Sequence, residues 1–142
     1  MRRAAFLDRD GVINMDHAYV HEREHFDWIP GVLDGARILA DAGFALVVVT
    51  NQSGIGRGYY TEADFLALTD WMKDAFASAG APIADVRFCP HHPEKALGRY
   101  RIDCGCRKPK PGMILAAAEA LGIDLSRSIL FGDKPGDCTA GR

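Results

Sequence analysis

The chain has 142 residues, with 17 Lys and Arg against 19 Asp and Glu and a formal net charge of -2 at pH 7. Hydrophobic residues make up 48% and charged residues 25%, which excludes a disordered, collagenous or coiled-coil chain. The near-neutral balance gives no global pull towards nucleic acid or an anionic membrane, no apolar run reaches the roughly 18 residues of a membrane span, and Ala4–Leu7 is too short for a secretory signal.

A cytoplasmic address is therefore expected, and a domain of this size holds a core without staples. Ala4 to Leu7 reads as a short buried strand. Pro30-Gly31 opens a helix to about Ala42, with Val32, Ala36, Leu39 and Ala40 recurring on one face and Gly43 as its stop. Phe44 to Val49 is the second strand, rich in β-branched residues. Thr61 and Asp64 have the spacing of a capping box. They open a helix to about Ala79 with the stripe Phe65, Leu68, Met72 and Phe76. Val86 to Phe88 is the third strand, Pro111 to Leu121 a further helix, and Ser128 to Gly132 the fourth strand. Short strands alternating with helices predict an α/β class, a Rossmann-like doubly wound and mostly parallel sheet in a single domain over 1–142. About forty residues separate Asp10 from Thr50, filled by a loop and a helix. That leaves no room for a large cap domain.

The residues leaving the strands carry the chemistry. Ligands bind at the carboxyl ends of parallel strands, and these ends are Asp8, Thr50, Cys89 and Asp133. Asp8-Arg9-Asp10-Gly11 sets two carboxylates one residue apart on a tight turn, where one attacks and the other handles protons. Thr50-Asn51-Gln52-Ser53-Gly54-Ile55-Gly56-Arg57-Gly58 is a donor-rich loop able to cradle phosphate. It lacks the Gly-Lys-Ser/Thr of a P-loop. Lys108 stands just before a helix start, where positive charge is unfavourable unless anions lie nearby. It is the natural fixed cation for such a site, and Lys110 reads as a solvated lysine. Asp133 beside Asp8 makes a hard oxygen site suited to Mg²⁺.

These four motifs, in this order, resemble the haloacid dehalogenase-like superfamily of phosphohydrolases. The resemblance spans residues 6–137. It implies that Asp8 is the nucleophile and forms an aspartyl-phosphate, with Asp10 as general acid and then base. It implies Mg²⁺ on Asp8, the Asp10 carbonyl and Asp133, phosphoryl oxygens on Thr50 and Lys108, and support from Asp137. A phospho-acceptor or binding module is the reading from another class. An acid/base group at Asp10 speaks against it, because it promotes hydrolysis of the phosphate.

The segment 90–110 is long for a loop in so small a domain. Without an export signal, the four cysteines read as metal ligands or free thiols rather than disulfides. Cys89-x-His91 and Cys104-x-Cys106 supply three thiolates and an imidazole, the donor set of a structural Zn²⁺ site. The one-residue spacing departs from the generic finger pattern. His92 competes with His91, and Cys138 stands apart. A zinc clamp would order the loop.

With the zinc loop included, the chain resembles the D-glycero-D-manno-heptose 1,7-bisphosphate 7-phosphatases. The shared runs are Asp8 to Asn14, Thr50 to Tyr60, Cys89 to Pro93 and Cys106 to Met113. The resemblance implies zinc on Cys89, His91, Cys104 and Cys106. It also implies a sugar bisphosphate, the β anomer being the expected substrate, held by Asn51, Ser53, Arg57 and Arg107. The implied setting is nucleotide-activated heptose biosynthesis for surface polysaccharide, with a monomer and no nucleic-acid or membrane partner. Histidinol-phosphate phosphatases share these motifs and are the alternative. Arg99, Arg101, Arg107, Lys108 and Lys110 fall within twelve residues, which a second substrate phosphate or a solvated face would explain. Similar proteins run on past Asp137, so the closing helix and strand of the sheet are expected to be missing from this stretch.

Overall fold

Alternation of side chains along the central strands builds two cores from one sheet. The computed structural model describes residues 3–15, 20–22, 25–90, 98 and 112–131, apart from the side chain of Ser53. The strands are β1 (Ala4–Leu7), β2 (Ala45–Asn51), β3 (Ile83–Cys89) and β4 (Ile129–Phe131). They form one parallel sheet in the order β3-β2-β1-β4, as the alternating elements predict. Helices α1 (Val32–Asp41), α2 (Ser53–Gly56), α3 (Glu62–Ser78) and α4 (Gly112–Leu121) connect or flank them.

Ala5, Leu7, Leu46 and Val48 turn to one face and pack with Ala36 of α1 and with Leu68, Met72 and Phe76 of α3. Ala4, Phe6, Ala45, Val47 and Val49 turn to the other and pack with Met113, Ile114 and Ala117 of α4. Both faces are covered, which is why β1 and β2 read as continuous apolar runs. Phe65 of the predicted α3 stripe joins a third cluster with Ile55 and Tyr60. The capping box forms as its spacing predicts: Asp64 N donates to Thr61 Oγ1 at 3.1 Å and Thr61 N to Asp64 Oδ2 at 3.0 Å. The backbone hydrogen bond from Thr61, followed by its side-chain bond, holds the Asp64 carboxyl below its ordinary value. Its stabilisation is therefore present above the usual carboxyl range and lost as pH falls through the lowered value.

Three details differ from the sequence reading. Strand β2 runs on to Asn51, so Thr50 is a strand residue rather than the first of a loop. Strand β3 begins at Ile83. The glycine-rich stretch closes into the short helix α2 because Ile55 is buried in the third cluster and pulls the backbone inward.

The order β3-β2-β1-β4 sets the site. The chain leaves β1 for β2 on one side, while β4 lies on the other. This creates a topological switch point at the carboxyl ends of β1 and β4, where open α/β sheets bind ligands. The stretch before α1 is fixed by aromatic contacts. The Phe26 ring lies 4.9 Å from Trp28 and 5.4 Å from Trp71 in edge-on geometry, and Trp28 lies 5.7 Å from Phe76. Among the described residues, no helix is long and apolar enough to cross a membrane.

Phe76 is fully buried between the sheet and this aromatic group. Phe76→Ala is expected to destabilise the fold by about 3–5 kcal/mol. Urea denaturation checks this through a lower midpoint at unchanged slope.

Candidate active site

Asp8 follows β1 directly and is only 7% exposed. Its backbone N–H donates to the Phe131 carbonyl at 3.1 Å, tying it to the end of β4. Its Oδ1 accepts from the Arg9 backbone N–H at 2.8 Å. The chain then reverses. The Arg9 carbonyl accepts from the backbone N–H groups of Val12, Ile13 and Asn14 at 3.2, 2.8 and 3.2 Å, and Gly11 N donates to Asn14 O at 2.7 Å. Gly11 has φ +92°, a left-handed conformation that glycine adopts without steric cost. The turn brings Asp10 back beside Asn14, and the two form an isolated bridge.

Arg9 lies between the two carboxylates in sequence and is 1% exposed. A buried guanidinium must be paired. Its Nε and Nη2 donate to Asp10 Oδ1 at 3.3 and 3.0 Å, and Nη2 also donates to the Val20 carbonyl at 2.6 Å. The guanidinium carbon lies 6.0 Å from the ring centres of both Phe26 and Phe65. Its Nη1 has no hydrogen-bond partner among the described residues. Asn14 Nδ2 donates to the same Asp10 Oδ1 at 3.0 Å. Oδ1 thus receives three donors. Oδ2 receives Gln52 Nε2 at 3.3 Å.

Gln52 also donates from Nε2 to Thr50 Oγ1 at 2.9 Å, and its Oε1 accepts from the Tyr60 hydroxyl. Its backbone N–H donates to the Cys89 carbonyl at 2.7 Å. Thr50, Gln52 and Tyr60 are buried. The His21 ring stacks on Tyr60 at 4.9 Å with 6° between the planes.

Of the site residues expected from sequence, Asp8, Asp10 and Thr50 gather at the carboxyl ends of β1 and β2. Asn51 ends β2 opposite Cys89 and is half-buried, and Arg57 follows α2, also half-buried. Ser53 opens α2, and its side chain lies outside the described residues. So do Lys108, Arg107, Asp133 and Asp137, and the zinc candidates His91, His92, Cys104 and Cys106, with Cys138. Cys89 is buried at the end of β3. No group of three or more His, Cys, Asp or Glu able to hold a metal occurs among the described residues.

Arg9, Asn14 and Tyr60 carry no role in the sequence reading, and Gln52 figures there only as one amide of the donor-rich loop. A signal existed for one of them. Thr50 and Gln52 are two apart at a strand end, and the period of two puts such residues on one side. Arg9 gave none, because the turn motif treats its position as a spacer.

The fold is that of the HAD-like hydrolases, and residues 105–142 match the family described as HAD-hydrolase-like. The chain is 55% identical over 139 residues to a D-glycero-alpha-D-manno-heptose-1,7-bisphosphate 7-phosphatase of Burkholderia mallei, covering 98% of this chain and 74% of that one. It is 52% identical over 137 residues to a D-glycero-beta-D-manno-heptose-1,7-bisphosphate 7-phosphatase of Escherichia coli K12, covering 96% and 72%. The crystal structure of a D,D-heptose 1,7-bisphosphate phosphatase from B. bronchiseptica, complexed with magnesium and phosphate, superposes with a TM-score of 0.85. It is 35% identical, over 97% of this chain and 74% of that chain. The chain belongs to the heptose-1,7-bisphosphate 7-phosphatase family of HAD-like hydrolases.

Arg9→Met strips the Asp10 carboxylate of its buried cation. The expected loss is about 3 kcal/mol of folding stability, with partial recovery in Arg9→Met/Asp10→Asn. Chemical denaturation of the three proteins measures both.

Proposed function

We propose that this chain is a Mg²⁺-dependent phosphatase that removes the 7-phosphate of D-glycero-D-manno-heptose 1,7-bisphosphate, within the biosynthesis of nucleotide-activated heptose in the cytoplasm. The observation that carries the reading is the 55% identity, over 98% of this chain, to a relative named for that reaction. Relatives are named for both anomers, and the β anomer is the proposed substrate.

The chemistry of the strand ends supports the reading. In the proposed mechanism an oxygen of Asp8 attacks the phosphorus. The bond to the sugar oxygen breaks and an aspartyl-phosphate forms. Asp10 gives the departing sugar oxygen its proton. Three donors already crowd Oδ1, so the proton is assigned to Oδ2. The ionised Asp10 then takes a proton from water, whose oxygen attacks the phosphorus. Asp8 is released as carboxylate with inorganic phosphate. Thr50 and Lys108 are assigned to the phosphoryl oxygens. Asn51, Ser53, Arg57 and Arg107 are assigned to the sugar and its second phosphate.

Hard oxygens suit Mg²⁺, and the donors proposed are the Asp8 carboxylate, the Asp10 carbonyl and Asp133. The bond from Asp8 N to Phe131 O supports this set, since Asp133 follows Phe131 by two residues. When bound, the ion offsets the charge of the phosphoryl group beside the carboxylates. Asp137 is assigned to support of Lys108 and of the metal donors. Zinc is proposed on Cys89, His91, Cys104 and Cys106, a soft donor set that fits it chemically. Cys89 stands at the start of the segment that returns to α4, where a clamp would close the loop.

Asp8→Asn is expected to lower phosphate release by about ten-thousand-fold or more with the melting temperature retained. Undiminished turnover would overturn the nucleophile. A panel of both heptose 1,7-bisphosphate anomers and histidinol phosphate should give the highest kcat/KM on the β bisphosphate. Preference for histidinol phosphate would replace the substrate assignment. Elemental analysis of freshly purified protein is expected to find one zinc per chain, and a content far below that sinks the clamp.

A further inference from the structure

The hydrogen bonds behind Thr50 and Asp10 have a direction, and that direction comes from chemistry. A carboxyl oxygen that is ionised, or whose hydrogen points at the departing sugar oxygen, only accepts from a neighbouring amide. Gln52 lies 3.3 Å from Asp10 Oδ2, so its amide nitrogen, not its oxygen, must face Asp10. Its Oε1 then faces Tyr60, and the Tyr60 hydroxyl is the donor. The second amide hydrogen goes to Thr50 Oγ1 at 2.9 Å. Thr50 therefore receives a hydrogen bond from behind, and its own hydrogen is left to point elsewhere. Its partner here is the Asn51 carbonyl at 3.4 Å, a long contact for a hydroxyl. A phosphoryl oxygen would be a far better acceptor.

From this we infer that Gln52 and Tyr60 are positioning residues. Tyr60 fixes the Gln52 amide, and the amide aims the Thr50 hydroxyl at the phosphoryl group while steadying Oδ2 of Asp10. This rests on the phosphatase reading above. The placement of Tyr60 makes the device stiff. Its ring is buried with Ile55 and Phe65 and stacked under His21. It also stands one residue before the Thr61 cap of α3, so the relay is anchored to the start of a 17-residue helix. Preorganised donors cost no reorientation when charge moves in the transition state. The contribution therefore falls on kcat rather than on substrate affinity.

The test uses the full chain and inorganic phosphate release from the bisphosphate. Tyr60→Phe keeps the ring and its stacking and removes only the hydroxyl. Gln52→Met keeps the length and removes both amide donations. Each is expected to lower kcat about tenfold, the worth of one well-placed hydrogen bond, with KM and melting temperature little changed. Because the relay is serial, Tyr60→Phe should add nothing further in a Gln52→Met background. Gln52→Glu retains an acceptor for Tyr60 but cannot donate, so it should fall with Gln52→Met. If Gln52→Glu and Tyr60→Phe turn over like the wild type, or lose only melting temperature, the relay is wrong while the phosphatase reading stands. If the wild type itself releases no phosphate, the reading and the relay fail together.

Discussion

The ion pair between Arg9 and Asp10 is the constraint on which the first loop depends. A guanidinium that is 1% exposed is tolerated only if its charge is met and its donors are used. Asp10 meets the charge, and the Val20 carbonyl takes a further bond. Those partners lie at the start and near the middle of the segment between β1 and α1. Satisfying one buried cation therefore folds the loop over it and sets the position of the Asp10 carboxylate. Asn14 completes the arrangement from the far side of the Gly11 turn, donating to both Asp10 and the Met15 carbonyl. The carboxylate is held as an asymmetric group, with one oxygen saturated and one facing Gln52.

The sheet provides the platform for this. Parallel strands whose carboxyl ends converge at a switch point offer a crevice without any special loop. What loops must supply is chemistry, and here they supply it over very short distances. Asp8 and Asp10 come from one turn, Thr50 and Gln52 from one strand end. The amide of Gln52 joins the two. The candidate site residues thus sit on elements rooted in the core, which favours the small positional tolerance that phosphoryl transfer needs.

Much of this was legible in the sequence, for identifiable reasons. The α3 stripe and its Thr61–Asp64 box were readable because helix periodicity and capping are local. The covering of both sheet faces shows as the unbroken apolar runs of β1 and β2. Asp8 and Asp10 were visible as a strand exit. Arg9 was not, because burial of a charged residue is decided by what packs over it, and Phe26 and Phe65 come from distant segments. The helix α2 was hidden for a similar reason. Its glycines signal a loop, and only the burial of Ile55 in a tertiary cluster overrides them. Gln52 reads in the sequence as one of several amides, and its particular contacts emerge only once Tyr60 and Asp10 are brought to either end of it.

The aromatic group beside α3 has an optical consequence. The chain contains two tryptophans, and Trp28 and Trp71 lie with ring centres 5.8 Å apart. One comes from the loop folded over Arg9 and the other from α3. Both emitters therefore report the same local event, the seating of the first loop on that helix. Intrinsic fluorescence of this protein is a gauge of that joint and of the buried ion pair beneath it, while β4 and the α4 face of the sheet remain spectroscopically silent at tryptophan wavelengths.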